Sequence, residues 1–237
     1  MQKKCQNHVE FVVILDFLNT LISYKNIEHM IQSKIATYIN AHKLLIIPVI
    51  VGLMVLYSNF SIEAYVYLGL HGTYSILWFI KFYWFRDEGF QLKVSFQKGF
   101  FTLFVVMLGY FVAPFILISQ HIQAEPYYIA IVLFVYIIGV FFHFVSDIQK
   151  YYTLKYKKGL IAEGMFSRTR NPNYFGEIMM YTSFAMFSQH WLPFVIISCF
   201  TIFVFLGIMR KKDEFLSQYP EFEAYKKKTW LLFPKFF

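Results

Sequence analysis

The stretch "SRTRNPNYFGEIMMYTSFAMF", Ser167 to Phe187, decides how the whole chain is threaded. It opens with two arginines and two asparagines, places Glu177 one helical turn further on, and then becomes a short apolar run. Taken alone, Tyr174 to Phe187 is too short and too polar to cross a bilayer core of about 30 Å, which asks for about 20 apolar residues. The surrounding loops require it to cross all the same. Arg86, Lys93 and Lys98 fall in one connection, and Lys150, Lys155, Lys157, Lys158, Arg168 and Arg170 in a second. Arg210, Lys211, Lys212 and the triplet Lys226 to Lys228 follow the last apolar run, whereas "SQHIQAEP", Ser119 to Pro126, has no lysine or arginine. Basic loops stay in the cytoplasm. Parity then sends Tyr174 to Phe187 across the membrane and back through the turn near Gln189 and His190.

Five clearer apolar stretches complete the pattern: Leu44 to Phe60, Ile62 to Phe85, Gly99 to Ser119, Tyr127 to Val145 and Trp191 to Met209. The expected fold is all-α, a polytopic membrane bundle of about six transmembrane helices with both termini cytoplasmic. Composition agrees, since 58% hydrophobic and 15% charged residues in a chain of 237 are too apolar for a soluble domain. The net charge of +8 resides in loops beside apolar segments, so it reads as membrane orientation rather than as a nucleic-acid surface. Cys5 and Cys199 form no partner motif, which argues against a disulfide framework and a thiolate zinc site; no metal is expected. The start, "MQKKCQNHVEFVVILDFL", imitates a signal peptide, but Glu10 and Asp16 interrupt it and no small-residue cleavage site follows. It reads as retained, with Val9 to Tyr24 in the interface. One domain with three regions results: a cytoplasmic or interfacial segment over 1–42, cavity-forming membrane helices over 43–146, and a C-terminal region over 147–237.

Polar side chains inside the apolar runs mark where chemistry is possible. His71, Tyr74, Trp78 and Lys81 follow spacings of three, four and three, which at about 100° per residue keeps them within an arc of about 80°. Two readings stay open for this face: a cavity lining, or a core His71 with Lys81 snorkelling to the cytoplasmic end. His143, Asp147 and Lys150 share a face of the fourth span, where an acid and a base one turn apart can also simply stabilise a helix end. Pro172 suits the first turn of a helix, and the free amides there, with Arg168 and Arg170, suit an anion. Gly176 permits close approach of a helix or a ligand. Tyr174, Glu177 and Tyr181 share the next face, where an unpaired carboxylate would be costly. The tail, with Tyr219, Phe222, Tyr225 and Trp230, is too aromatic for a disordered terminus and is expected to fold over the cytoplasmic mouth.

"RNPNYFGE" resembles the Arg-His-Pro-Asn-Tyr-x-Gly-Glu/Asp signature of the steroid 5-alpha-reductase and sterol reductase superfamily, within the DUF1295 type of small membrane proteins. "SDIQK" resembles that group's Asp-x-Gln-Lys element, and "GMFSRTRNPNY" its Gly-Leu-Trp-x-x-Ser-Arg-His-Pro-Asn-Tyr run. The tail resembles its C-terminus, so the likeness covers about Phe144 to Phe237. Isoprenylcysteine carboxyl and phospholipid methyltransferases share the architecture but use S-adenosylmethionine. Asn173 and Glu177 favour the reductase branch, and "KKDE", with Asp213 and Glu214, replaces the methyltransferases' paired glutamates. The motif's histidine is Asn171 here, which keeps hydrogen-bonding capacity but does not titrate.

The resemblance implies NADPH-dependent reduction of a carbon-carbon double bond in a lipid or steroid-like substrate, with S-adenosylmethionine-dependent methyl transfer as the alternative. It implies cofactor contacts from Asp147, Lys150, Arg168, Arg170, Asn173, Arg210, Glu214 and Tyr225. Glu177, kept neutral by burial, would donate a hydrogen bond to a substrate oxygen, with Tyr74, Tyr174 or Tyr181 as alternative donors. His71, Tyr74 and Trp78 are the expected cavity residues, read from the helix face. A third reading, a non-catalytic membrane protein that keeps the fold, draws on Asn171. The membrane would be the endoplasmic reticulum in a eukaryote or the inner membrane in a bacterium.

Overall fold

Proline and serine set where several of the helices begin. In the computed structural model, which describes residues 32–105 and 107–235, Ser61 accepts a hydrogen bond from the amide of Ala64 at 3.3 Å and caps the helix that follows. Pro126 and Pro172 stand at the first positions of two others, where a missing N–H costs nothing. The helices are α1 (Ile35–Leu56), α2 (Ile62–Trp84), α3 (Val112–Ser119), α4 (Pro126–Tyr156), α5 (Pro172–Phe187), α6 (Trp191–Leu216) and α7 (Phe222–Lys228). The fold is all-α apart from one short antiparallel pair, β1 (Gln32–Lys34) with β2 (Lys93–Ser95). Val9 to Tyr24 lies outside the described residues.

Helices α1, α4 and α6 are long and apolar enough to cross a membrane. Helix α2 has the length, 23 residues, but carries Glu63, His71 and Lys81. Two boundaries differ from hydropathy. Helix α1 begins at Ile35 rather than near Leu44, because its first turns are held by packing: Ile35, Tyr38 and Ile39 cluster with Trp78 and Val94. The run Gly99 to Ser119 is not one helix but π-helical turns at Gly99–Val105, a 3-10 turn at Leu108–Phe111 and then α3.

Helix α5 explains its own weak hydropathy. Its 16 residues span about 24 Å at 1.5 Å each, and ten of them are buried, so most of its surface meets protein rather than lipid. Against α4 the backbones nearly touch. A Cβ on Gly176 would lie 2.3 Å from the His143 nitrogen and 2.5 Å from the Gly139 oxygen, and a Cβ on Gly139 would lie 2.8 Å from the Gly176 oxygen. The close approach read for Gly176 is therefore made by a helix.

Side-chain bonds tie the turns together at each end of the bundle. At one end Asn59 donates to the Ile118 carbonyl at 2.9 Å, Glu63 accepts from the Ala124 amide at 3.1 Å, and Gln189 donates to the Gln123 carbonyl at 2.7 Å. At the other end lie the β1–β2 pair, the C-terminal ends of α2 and α4, the start of α5 and the tail. That end carries the arginines and lysines of the loops.

Candidate functional site

Between α2 and α5, three of the expected residues meet. The Tyr74 hydroxyl lies 3.3 Å from Glu177 Oε1 and 3.0 Å from the Tyr181 hydroxyl, and Tyr181 donates to the same glutamate oxygen. Tyr110 extends the chain by donating to Tyr181. Glu177 Oε1 thus takes contacts from two tyrosine hydroxyls. Tyr110 and Tyr181 also line a half-open cavity of about 60 Å³, whose remaining wall is apolar: Ala113, Pro193, Ile196 and Phe200 among others. Tyr174 lays its ring on Phe205 of α6 at 4.8 Å, beside the π-helical turns at Thr201–Phe205.

The polar face of α2 is buried, and its members do different work. His71 stacks on Phe184 with ring centroids 4.3 Å apart. Trp78 donates its indole N–H to Asn40 Oδ1 at 2.8 Å. Lys81 pairs with Asp147 of α4, and His143 Nε2 stands 3.7 Å from the same carboxylate. The other ring nitrogen of His143 lies 3.1 Å from the Asn173 carbonyl, which links α4 to the start of α5. Lys150 reaches Asp87 at 3.8 Å. Lys81, Arg86, Asp87, Asp147, Lys150 and Lys155 line a cleft of about 310 Å³ at the basic end. Two of the expected cofactor residues, Asp147 and Lys150, line this cleft while themselves buried and paired with Lys81 and Asp87. Asn173 is buried, and its side-chain oxygen has no hydrogen-bond partner among the described residues.

Arg170 and Tyr225 point into the protein instead. Arg170 Nε donates to both oxygens of Asp213 at 2.9 and 3.0 Å, Nη2 lies 2.9 Å from Oδ2, and Nη1 donates to the Thr229 carbonyl at 2.8 Å. Tyr225 donates to the Phe166 carbonyl at 2.8 Å. Burial pushes the Tyr225 hydroxyl pKa up, with Arg170 opposing and Asp213 adding to the shift. Asn171 is fully buried. Its amide donates to the Leu231 carbonyl at 2.8 Å while its oxygen accepts from Lys212 at 3.0 Å. With Thr169 donating to the Leu232 carbonyl at 2.9 Å, these bonds lash the tail along Arg168–Asn171, which is the fold-back expected of it. Arg168, Arg210 and Glu214 are exposed at the same end of the molecule.

The profile of the family described as "Protein of unknown function (DUF1295)" matches residues 81–229, more than half of the chain. The chain belongs to the DUF1295 family. No curated protein matches it. The DUF1295 match takes in Lys81, Tyr110, Asp147, Glu177 and Tyr181, so most of both polar clusters lies within it, whereas Tyr74 lies before it.

Two site residues of this DUF1295 protein escape a sequence reading. Lys43 sits where hydropathy places a flank, yet it is 2% exposed and its Nζ lies 3.9 Å above the Tyr74 ring and 4.7 Å above that of Tyr110. Tyr110 is one aromatic among many in an irregular stretch, and only the contact with Tyr181 singles it out. The one signal for Lys43 was its place beside His42, two polar residues where the helix had already begun.

Proposed function

We propose that the protein is a membrane-bound, NADPH-dependent reductase of a carbon-carbon double bond in a lipid or steroid-like substrate. The observation that carries this reading is the chain Tyr110, Tyr181, Glu177 and Tyr74, with Tyr74 and Tyr181 buried and Tyr110 and Glu177 half-buried, beside an apolar cavity. Reducing a double bond conjugated to a carbonyl builds negative charge on the carbonyl oxygen, and a positioned hydroxyl donor stabilises it. Methyl transfer to a carboxylate or an amine needs no such donor. Tyr110 and Tyr181 line the cavity, and a carbonyl oxygen entering it takes the proton that Tyr110 otherwise gives to the Tyr181 hydroxyl. Tyr74 and Glu177 stand behind and hold that hydroxyl in place.

The cleft at the basic end suits an anionic cofactor. Arg86 and Lys155 supply positive charge for phosphates against Glu88, and Lys150, held by Asp87, adds to it. When bound, NADPH supplies hydride. The Lys81–Asp147 pair and His143 join the cleft to the helix that carries Glu177. In this reading six helical segments cross the membrane and the basic end, with both chain termini, is cytoplasmic; the membrane is the endoplasmic reticulum in a eukaryote and the inner membrane in a bacterium.

Thermal unfolding of the purified chain with each cofactor tests the reading. NADPH at about 100 times its Kd should add about 2.7 kcal/mol of stability, Lys150→Ala should weaken its binding about tenfold, as expected for loss of a charge-assisted contact, and S-adenosylmethionine should leave the transition unmoved. A shift with S-adenosylmethionine alone would make the protein a methyltransferase, and a shift with neither would leave a non-catalytic membrane protein.

A further inference from the structure

Lys43 is a buried amine without a hydrogen bond among the described residues. It is the ninth residue of α1, 2% exposed, and its Nζ has no hydrogen-bond partner among the described residues. Only ring faces attend it closely: Tyr74 at 3.9 Å, Tyr110 at 4.7 Å and Trp78 at 6.0 Å. Snorkelling does not explain this, because the amino group is turned inward onto Tyr74 and Tyr110 rather than out to the basic end. Its surroundings are short of partners as well. His71 is fully buried with neither ring nitrogen hydrogen-bonded among the described residues, and its ring lies 6.2 Å from that of Tyr110. The Tyr67 hydroxyl, whose ring is 5.6 Å from His71, also lacks a hydrogen bond there.

Native interiors satisfy nearly all their buried polar groups, so several unsatisfied ones around one tyrosine need an explanation. The Oε1 of Glu177 already takes hydrogen bonds from Tyr74 and Tyr181. What the pocket lacks is an acceptor oxygen. We propose that Lys43 is a substrate-recognition residue, forming with Tyr110 a subsite for the carbonyl or carboxylate oxygen at the polar end of an otherwise apolar ligand. Tyr110 also lines the half-open apolar cavity of about 60 Å³, which takes only a part of such a ligand. One amino group among aromatic rings suits a single oxygen function; a phosphate headgroup would call for several cations. Lys43 precedes the family-matched residues, as does Tyr74, so this subsite combines a family helix with elements outside the match. The proposal rests on the reading of that cavity as the substrate site.

The full chain in lipid nanodiscs provides the test, with matched probes: cholest-4-en-3-one against cholest-4-ene, and palmitate against hexadecane. The wild type should bind at least one oxygen-bearing probe about tenfold or more tightly than its hydrocarbon, and the arm that does so tells ketone from carboxylate. Lys43→Met, of similar length, should lose that preference while binding the hydrocarbon as before. Without ligand it should melt about 2–4 °C higher, because an unsatisfied buried group is gone. A wild type that shows no oxygen preference, or binds no probe, overturns the proposal, as does a Lys43→Met protein that keeps the preference or fails to fold. NADPH binding is scored separately. An oxygen preference that depends on Lys43 in a protein that binds no NADPH sinks the reductase reading and leaves the subsite standing, and the converse result does the reverse.

Discussion

Asn171 ties the start of α5 to the tail with a single side chain. It stands where the related signature has histidine, and it does two things at once, donating to the Leu231 carbonyl and accepting from Lys212. An amide offers a donor and an acceptor on separate atoms at every pH, so Asn171 makes both bonds without titrating. Beside it, Arg170 is held by Asp213 and the Thr229 carbonyl. Removing one partner of a buried ion pair strands the other charge, at about 3–5 kcal/mol. Asp213→Ala should therefore lower stability by that order in thermal unfolding, and loosen the tail so that a protease cuts near Trp230. Replacing both partners together, Arg170→Met with Asp213→Leu, should recover most of the loss, because an apolar pair carries no stranded charge. Similar destabilisation in the double variant would show that the guanidinium's bond to Thr229, not the ion pair, holds the tail.

The contact between α4 and α5 depends on glycine at both sides of the crossing. At Gly176 the obstacle to a Cβ is backbone, the His143 nitrogen and the Gly139 oxygen, which cannot swing aside as a side chain would. Gly176→Ala should force the helices apart at the upper end of overpacking costs, about 3 kcal/mol, whereas Gly69→Ala, with nothing within 4 Å of the new carbon, should be neutral or stabilising. Melting temperatures of the two variants in detergent decide it; equal behaviour would mean that the crossing is looser than it stands here. Helix α5 was legible only through the charges of its neighbours, because a helix buried by protein has no need of the hydropathy that lipid demands. The first turns of α1 were not legible, since contacts with Trp78 and Val94 rather than composition carry them into the helix. Within the site, Tyr74, Glu177 and Tyr181 could be chosen from their helix faces. Lys43 and Tyr110 could not, because they join the cluster only through contacts between separate helices. Arg170 was read as a ligand for anions because its acid, Asp213, lies 43 positions away.

At the scale of the molecule, the two ends differ in kind. One is closed by neutral turns that bond to each other through Asn59, Glu63 and Gln189, and the other gathers the basic loops, the charged cleft and the tail. Transfer of charged loops across a bilayer is unfavourable, and lysine and arginine bias the loops that carry them to the cytoplasm. The two ends bear on the proposed count of crossings through α5. Its start lies with the tail at the basic end, and the turn after it reaches Gln123 at the neutral end, so a helix of only 16 residues connects the two. Lining by α4 and α6 reduces its exposure to lipid and permits the shorter length. Single cysteines in a background without Cys5 and Cys199 can test this arrangement with an impermeant maleimide. Lys157→Cys and Lys227→Cys should be blocked only from the cytoplasmic side, and Gln123→Cys and Gln189→Cys only from the opposite side. Labelling of Gln189→Cys from the cytoplasm, with Gln123→Cys still reached from the opposite face, would mean that α5 turns back within the bilayer; it would then be a re-entrant helix, and the crossings would number fewer than six.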